Sequence, residues 1–119
     1  MSYTVADLET VESGGPGGMV RYVRRALGTR AFGINHFTIP PGTEGREHDH
    51  ADSNQEEVYV VRRGSGAMRI DGEDVELRAG RLVRVDPGST RMPLAGPDGL
   101  EFITVGAPLE GGYEPPPWG

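Results

Sequence analysis

Cysteine is absent from this 119-residue chain. Its absence excludes a disulfide framework, a thiolate metal site and a cysteine nucleophile. Lysine is absent too: all 12 basic residues are arginine. No side chain can therefore form a Schiff base with pyridoxal phosphate or a carbonyl substrate. No apolar run approaches the roughly 20 residues of a membrane-spanning helix, and the N-terminus has no apolar signal-peptide core. A net charge of −6 without a basic tail argues against nucleic acid as a partner. The chain is expected to be soluble and cytoplasmic. Large aliphatic and aromatic residues are also sparse, with Leu, Ile, Val and Phe numbering only 25. What stands out instead is 19 Gly and 10 Pro, a composition bordering on that of disordered chains.

The apolar residues are nevertheless rich in valine and fall in short runs bounded by Gly and Pro, which favours a β-rich globule. Strands are expected over 19–27, 31–39, 57–63, 66–71, 74–78, 81–86 and 100–105. Asp71-Gly72-Glu73 reads as a hairpin turn, and Gly64 and Gly66 as a turn between two strands. Seven or more short strands at this spacing predict an all-β sandwich, jelly roll or small barrel. Residues 1–18 read as an N-terminal arm, with Thr4 and Asp7 as a weak helix cap and 14–18 as a flexible break. Residues 106–119 hold eight Gly or Pro and read as an extended tail, with Trp118 free or anchored on a surface. Arg21, Arg24, Arg25 and Arg30 read as the solvated face of an edge strand.

Chemistry concentrates around two of the three histidines, His48 and His50. Residues i and i+2 of an extended segment face the same way, so both imidazoles can address one ion. Glu56 and Glu57 follow and lead into Val58-Tyr59-Val60-Val61. A carboxylate from that strand completes two nitrogens and one oxygen, a set suited to iron(II), manganese, nickel or zinc with open positions. Gly64-Ser65-Gly66 lacks the pattern of a nucleophile elbow, and 14–18 lacks that of a phosphate loop.

The spacing Gly42-x5-His48-x-His50-x6-Glu57-x6-Gly64, followed by Gly80-x7-Gly88, closely resembles the two-motif signature of the cupin superfamily. The resemblance covers roughly residues 32–105. It implies a double-stranded β-helix, a small jelly-roll barrel over 19–105 whose mouth holds a metal or a small ligand. His48, His50 and Glu57 match the metal ligands of the first motif. The loop before Glu57 is about two residues longer than usual, which leaves Gln55 and Glu56 as alternatives. The second motif places its histidine ligand at position 91, where this chain has Arg91. A guanidinium has no lone pair to offer and its charge opposes a cation. Arg91 reads either as an anchor for a carboxylate or phosphate, or as a rim salt bridge to Asp86 or Glu57. Tyr59 and His36 are further candidates for the ligand pocket.

Two functions follow from the resemblance. One is small-molecule binding with a divalent metal, including dioxygenase, isomerase or epimerase chemistry. The other is a metal-free module that binds or senses an anion through Arg91. Edge strands and long arms suggest a homodimer.

Overall fold

The computed structural model describes residues 2–119, and these are almost entirely β. Seven strands form in chain order: β1 (Ser13–Gly14), β2 (Val20–Arg21), β3 (Gly33–Ile39), β4 (Gln55–Ile70), β5 (Glu73–Arg78), β6 (Leu82–Val85) and β7 (Arg91–Pro108). All pair antiparallel. One short helix, α1 (Val23–Leu27), lies between β2 and β3.

Two long strands organise the barrel. β7 pairs with β3 along its C-terminal half and with β4 along nearly its whole length. β4 in turn carries β6 beside its N-terminal half and β5 beside its C-terminal half. Register shifts at Val61/Arg63 and Gly64/Gly66 bend β4 between these halves. At the bend, backbones approach so closely that only glycine fits. A Cβ on Gly64 would lie 2.1 Å from the Gly99 carbonyl oxygen, and one on Gly66 would lie 2.0 Å from that of Leu94. Gly64 also has φ +81, which side chains rarely adopt.

The bend divides one sheet into two facing walls. The first holds β3, the C-terminal half of β7, the N-terminal half of β4, and β6. The second holds β5, the remaining halves of β4 and β7, and the segment containing Glu44 and His48, which bridges to Leu94 and Arg91. Between them lie Ile39, Tyr59, Val61, Val85, Leu100 and Phe102 from the first wall and Met68 and Leu77 from the second. This is the jelly-roll barrel that the resemblance implies.

Several local expectations hold. Asp71 and Gly72 both have positive φ, 49° and 85°, as a tight hairpin between β4 and β5 requires. Others are corrected. Gly64 and Gly66 do not separate two strands; they kink one, because β7 runs alongside both halves. β7 itself begins at Arg91, nine residues before the expected start, its early part disguised by Pro93, Gly96, Pro97 and Gly99.

Residues 19–27 form only a two-residue strand and then α1, closed by Gly28 at φ 73, whose N–H bonds the Arg24 carbonyl. Arg, Ala and Leu favour a helix, and a left-handed glycine ends it. Thr4 caps nothing described as a helix; Asp7 precedes a single 3-10 turn at Leu8–Thr10 without a side-chain cap. The glycine-rich 14–18 is built into β1 and a 3-10 turn at Pro16–Gly18.

Arg21, Arg24 and Arg25 are not a solvated strand face. Arg21 donates to the Val11 carbonyl (2.9 Å), Arg24 Nε to that of Gly119 (2.5 Å), and Arg25 to that of Trp118 (2.5 Å). They tie both arms to the barrel, and Gly119 is buried there. Arg30 is exposed, as expected.

Candidate metal centre

His48 and His50 sit on the extended segment that borders the second wall. His48 exchanges both backbone hydrogen bonds with Arg91, at 2.9 and 2.8 Å, and the His50 N–H donates to the Pro87 carbonyl at 2.9 Å. These bonds hold the segment straight, so alternation turns both rings the same way, with centroids 5.0 Å apart. Glu57 meets them from β4. Its Oε1 lies 3.3 Å from His50 Nε2 and 4.0 Å from His48 Nε2. One donor atom from each of the three lies within 4.8 Å of the others.

The protonation states suit a cation. His48 Nδ1–H donates to the Arg46 carbonyl at 3.0 Å, which leaves the lone pair on Nε2, facing Glu57. Burial lowers the His48 pKa, only partly offset by that hydrogen bond and the Glu57 charge, so the neutral ring is favoured. Burial pushes the Glu57 carboxyl up, but His50 and Tyr59 beside it more than compensate, and it is held below its ordinary value. The result is a carboxylate beside a neutral imidazole, the forms in which these side chains ligate metal. His50 Nε2 is buried, 3.3 Å from Glu57 yet not aligned to hydrogen bond, and has no other partner. An orphaned nitrogen beside a carboxylate fits a coordinating role.

Arg91 stands at the fourth side. Its side chain is fully buried, so the expected salt bridge forms, with Glu57 rather than Asp86, but inside the barrel and not at a solvated rim. Nη1 donates to Glu57 Oε1 at 3.4 Å and Nη2 to the backbone carbonyl of Asp86 at 2.6 Å, while Nε has no partner. The Asp86 carboxylate is engaged by Arg84 instead.

Tyr59 lies beneath this group, 2% exposed, its ring 5.4 Å from that of Phe102. Burial first, and then the Glu57 charge, raise its pKa well above the ordinary value, so the phenol stays protonated.

Two alternatives for the acidic position fall elsewhere. Glu56 points to the opposite face of β4 and pairs with Arg84 at 3.4 Å; the Gln55 side chain lies over Gly106. His36 is not brought to the group. Alternation from Phe37 and Ile39, which pack in the core, turns it to the outer face, where Nε2 contacts Glu101 at 2.7 Å. The same alternation turns Asn35 inward, opposite Thr104, with its Oδ1 buried and unpartnered. Asn35 was not anticipated, although the period of β3 would have found it.

A two-walled antiparallel barrel with a His-x-His pair and a glutamate converging inside it defines a jelly-roll protein with a candidate metal centre. The chain belongs to the cupin family: the family model for the Cupin domain matches residues 35–105. It is 36% identical over 91 residues to a dimethylsulfoniopropionate lyase of Ruegeria pomeroyi, covering 71% of this chain and 57% of the lyase. It is 28% identical over 83 residues to an oxalate-binding protein of Thermotoga maritima, covering 69% of this chain and 67% of that protein. The chain thus spans little more than half the length of the first relative. The structure of a cupin protein from Bacteroides fragilis superposes with a TM-score of 0.76 at 23% identity, over 96% of this chain and 92% of that one. That likeness shows the fold.

Proposed function

We propose that this chain is a small-molecule-binding cupin whose barrel holds a divalent metal on His48, His50 and Glu57, with Arg91 receiving an anionic group of the ligand. The observation that carries this reading is the convergence of the three donors within 4.8 Å, with the buried His50 Nε2 left unpartnered. Two imidazoles and one carboxylate suit iron(II), manganese, nickel or zinc with positions left open for ligand.

When bound, such an ion would supply Lewis acidity toward a ligand oxygen. The chain's own groups would do the rest. Arg91 offers an unused Nε–H to an anion from a site closed to solvent. Tyr59, fixed as a protonated phenol, offers a donor and no base. Two relatives are named for small carboxylates, dimethylsulfoniopropionate and oxalate, which supports a small carboxylate as the ligand class.

A second reading is favoured by one observation, the direct pairing of Arg91 with Glu57. In it the guanidinium is the resident cation and the barrel binds its anion without metal. Elemental analysis separates the two. After incubation with each of the four metals and removal of excess, about one ion per chain is expected, lost in His48→Ala and in His50→Ala. No ion retained under any condition refutes the first reading. Stabilisation by small carboxylates that disappears in Arg91→Ala would then support the second.

A further inference from the structure

The inner face of the first wall is layered, and its layers follow from the strand register. Two rows are apolar: Ile39 with Leu100, then Phe37 with Phe102 and Val61. The next row toward the metal donors is polar on three adjacent strands, with Asn35 on β3, Thr104 on β7 and Tyr59 on β4. Above it, in the row of Glu57, β3 and β7 bring no side chain, because Gly33 and Gly106 stand there. A Cβ on Gly106 would lie 3.8 Å from that of Glu57, so both positions face the same interior. Neither glycine has a positive φ, so no backbone turn requires them. What they leave is room above a polar floor. The nearest atom to each vacant Cβ position is a polar one: the Tyr113 hydroxyl, 2.7 Å from that of Gly33, and Gln55 Oε1, 3.2 Å from that of Gly106.

Among the described residues, the barrel interior holds two buried polar atoms without a partner besides His50 Nε2, and they are of opposite sense. Asn35 Oδ1 accepts and has no donor; Arg91 Nε–H donates and has no acceptor. A buried polar group left unpaired destabilises a fold, so each of these calls for a partner from outside the chain. They do not satisfy one another. Asn35 belongs to β3, whereas Arg91 reaches Glu57 on β4, and β7 lies between. Two strand spacings separate those backbones by about 10 Å. The side chains shorten the gap to the length of a linear acid of about three to six carbons. The Asn35 amide is screened by the tail: a Cβ on Gly119 would lie 3.6 Å from its Nδ2. Arg24 and Arg25 hold the tail in that place.

We infer that the ligand carries two groups, a carboxylate received by Arg91 and, at its far end, a hydroxyl or amine that donates to Asn35 Oδ1. Asn35 then determines specificity, and Gly33 and Gly106 give the ligand its room. A methyl group at the far end would leave the Asn35 oxygen unpaired. A second carboxylate there would set acceptor against acceptor. The inference rests on the reading of Arg91 as the anchor of an anionic ligand, and not on the metal.

Titration calorimetry of the full chain tests it, in chelator and again with added nickel. Each ω-hydroxy acid in that range of lengths is compared with the unsubstituted acid of equal length. In wild type, one hydroxy acid is expected to bind about tenfold tighter than its parent, the effect of one buried hydrogen bond. Asn35→Ala is expected to bring that ratio below about twofold. Asn35→Asp, nearly the same shape, is expected to turn the preference toward the ω-amino acid, whose ammonium pairs with the new carboxylate. Gly33→Ala fills the room without touching the Asn35 amide and is expected to lower the ratio as well. Acids that bind wild type with no gain from the hydroxyl at any length overturn the inference and leave the reading of Arg91 standing. A gain that survives Asn35→Ala also overturns it. No binding of any acid in either condition overturns both. Should the two Asn35 variants fail to fold, Gly33→Ala decides, and a ratio equal to that of wild type overturns the inference.

Discussion

Replacing Arg91 with leucine tests whether its guanidinium serves as a cation built into the barrel. The side chain is fully buried and makes two contacts, to Glu57 Oε1 at 3.4 Å and to the Asp86 carbonyl at 2.6 Å. Arg91→Leu leaves the Glu57 carboxylate, its side chain only 12% exposed, with imidazoles as its polar neighbours together with Tyr59. It also strips a donor from the Asp86 carbonyl. Removing one partner of a buried charge pair typically costs about 3–5 kcal/mol. At about 4 °C per kcal/mol for a domain of this size, the melting temperature should fall by about 12–20 °C in metal-free buffer.

Added metal should reverse part of that loss. Without the guanidinium, a cation on His48, His50 and Glu57 meets no like charge, and the carboxylate regains a partner. A tenfold gain in affinity contributes about 1.4 kcal/mol, or about 6 °C at saturating metal. Calorimetric melting of wild type and variant, each with chelator and with excess nickel or manganese, reads both effects. A loss below about 1 kcal/mol in chelator, or a metal-induced rise no larger than in wild type, would falsify the reasoning.

Two further outcomes follow from the barrel itself. Gly64→Ala combines a φ of +81 with a Cβ 2.1 Å from a carbonyl oxygen, so chemical denaturation should show a loss of at least about 3 kcal/mol or no folded protein. Gly88→Ala, with nothing within 4 Å, should stay within about 1 kcal/mol of wild type; equal stability of the two variants refutes the tight bend. Burial raises the Glu101 carboxyl, but the His36 hydrogen bond and the Arg62 and Arg63 charges outweigh it, and its pKa is lowered. A depressed carboxyl stabilises fully above its unfolded value of about 4.3, and that contribution is lost as pH falls through the folded value. Wild type should therefore lose stability more steeply than Glu101→Gln below about pH 4, and matching slopes in acid titration would count against the pair.

Much of the site could be read from local rules. Two histidines one residue apart face one way wherever the backbone is extended, and His48 and His50 do so. A glutamate in phase with Tyr59 and Val61 points into the barrel, and one out of phase points away, which is how Glu57 and Glu56 part. The Asp71-Gly72 turn needs positive φ at both residues, and few other pairs supply it. Such features depend on neighbours within a few residues, so spacing reveals them.

Other features depend on segments that meet only in three dimensions. Glycine marks a special backbone but does not say whether the chain reverses there or two long strands kink together. Gly64 and Gly66 do the second because Gly99 and Leu94 of β7 pass against them. His36 has the composition of a pocket residue, yet strand phase and the presence of Glu101 on the same outer face remove it from the pocket. Arg24 and Arg25 look like solvent-facing charges until the tail, more than 90 residues away, brings its carbonyls to them. Arg91 is the clearest case. The motif located it at the fourth side of the histidine pair, but its complete burial, its bond to Glu57 and its unpaired Nε arise from the closing of one wall over the other. The sequence alone determined which residues could meet; the packing of the two walls decided which of them lost water, and loss of water is what makes these charges matter.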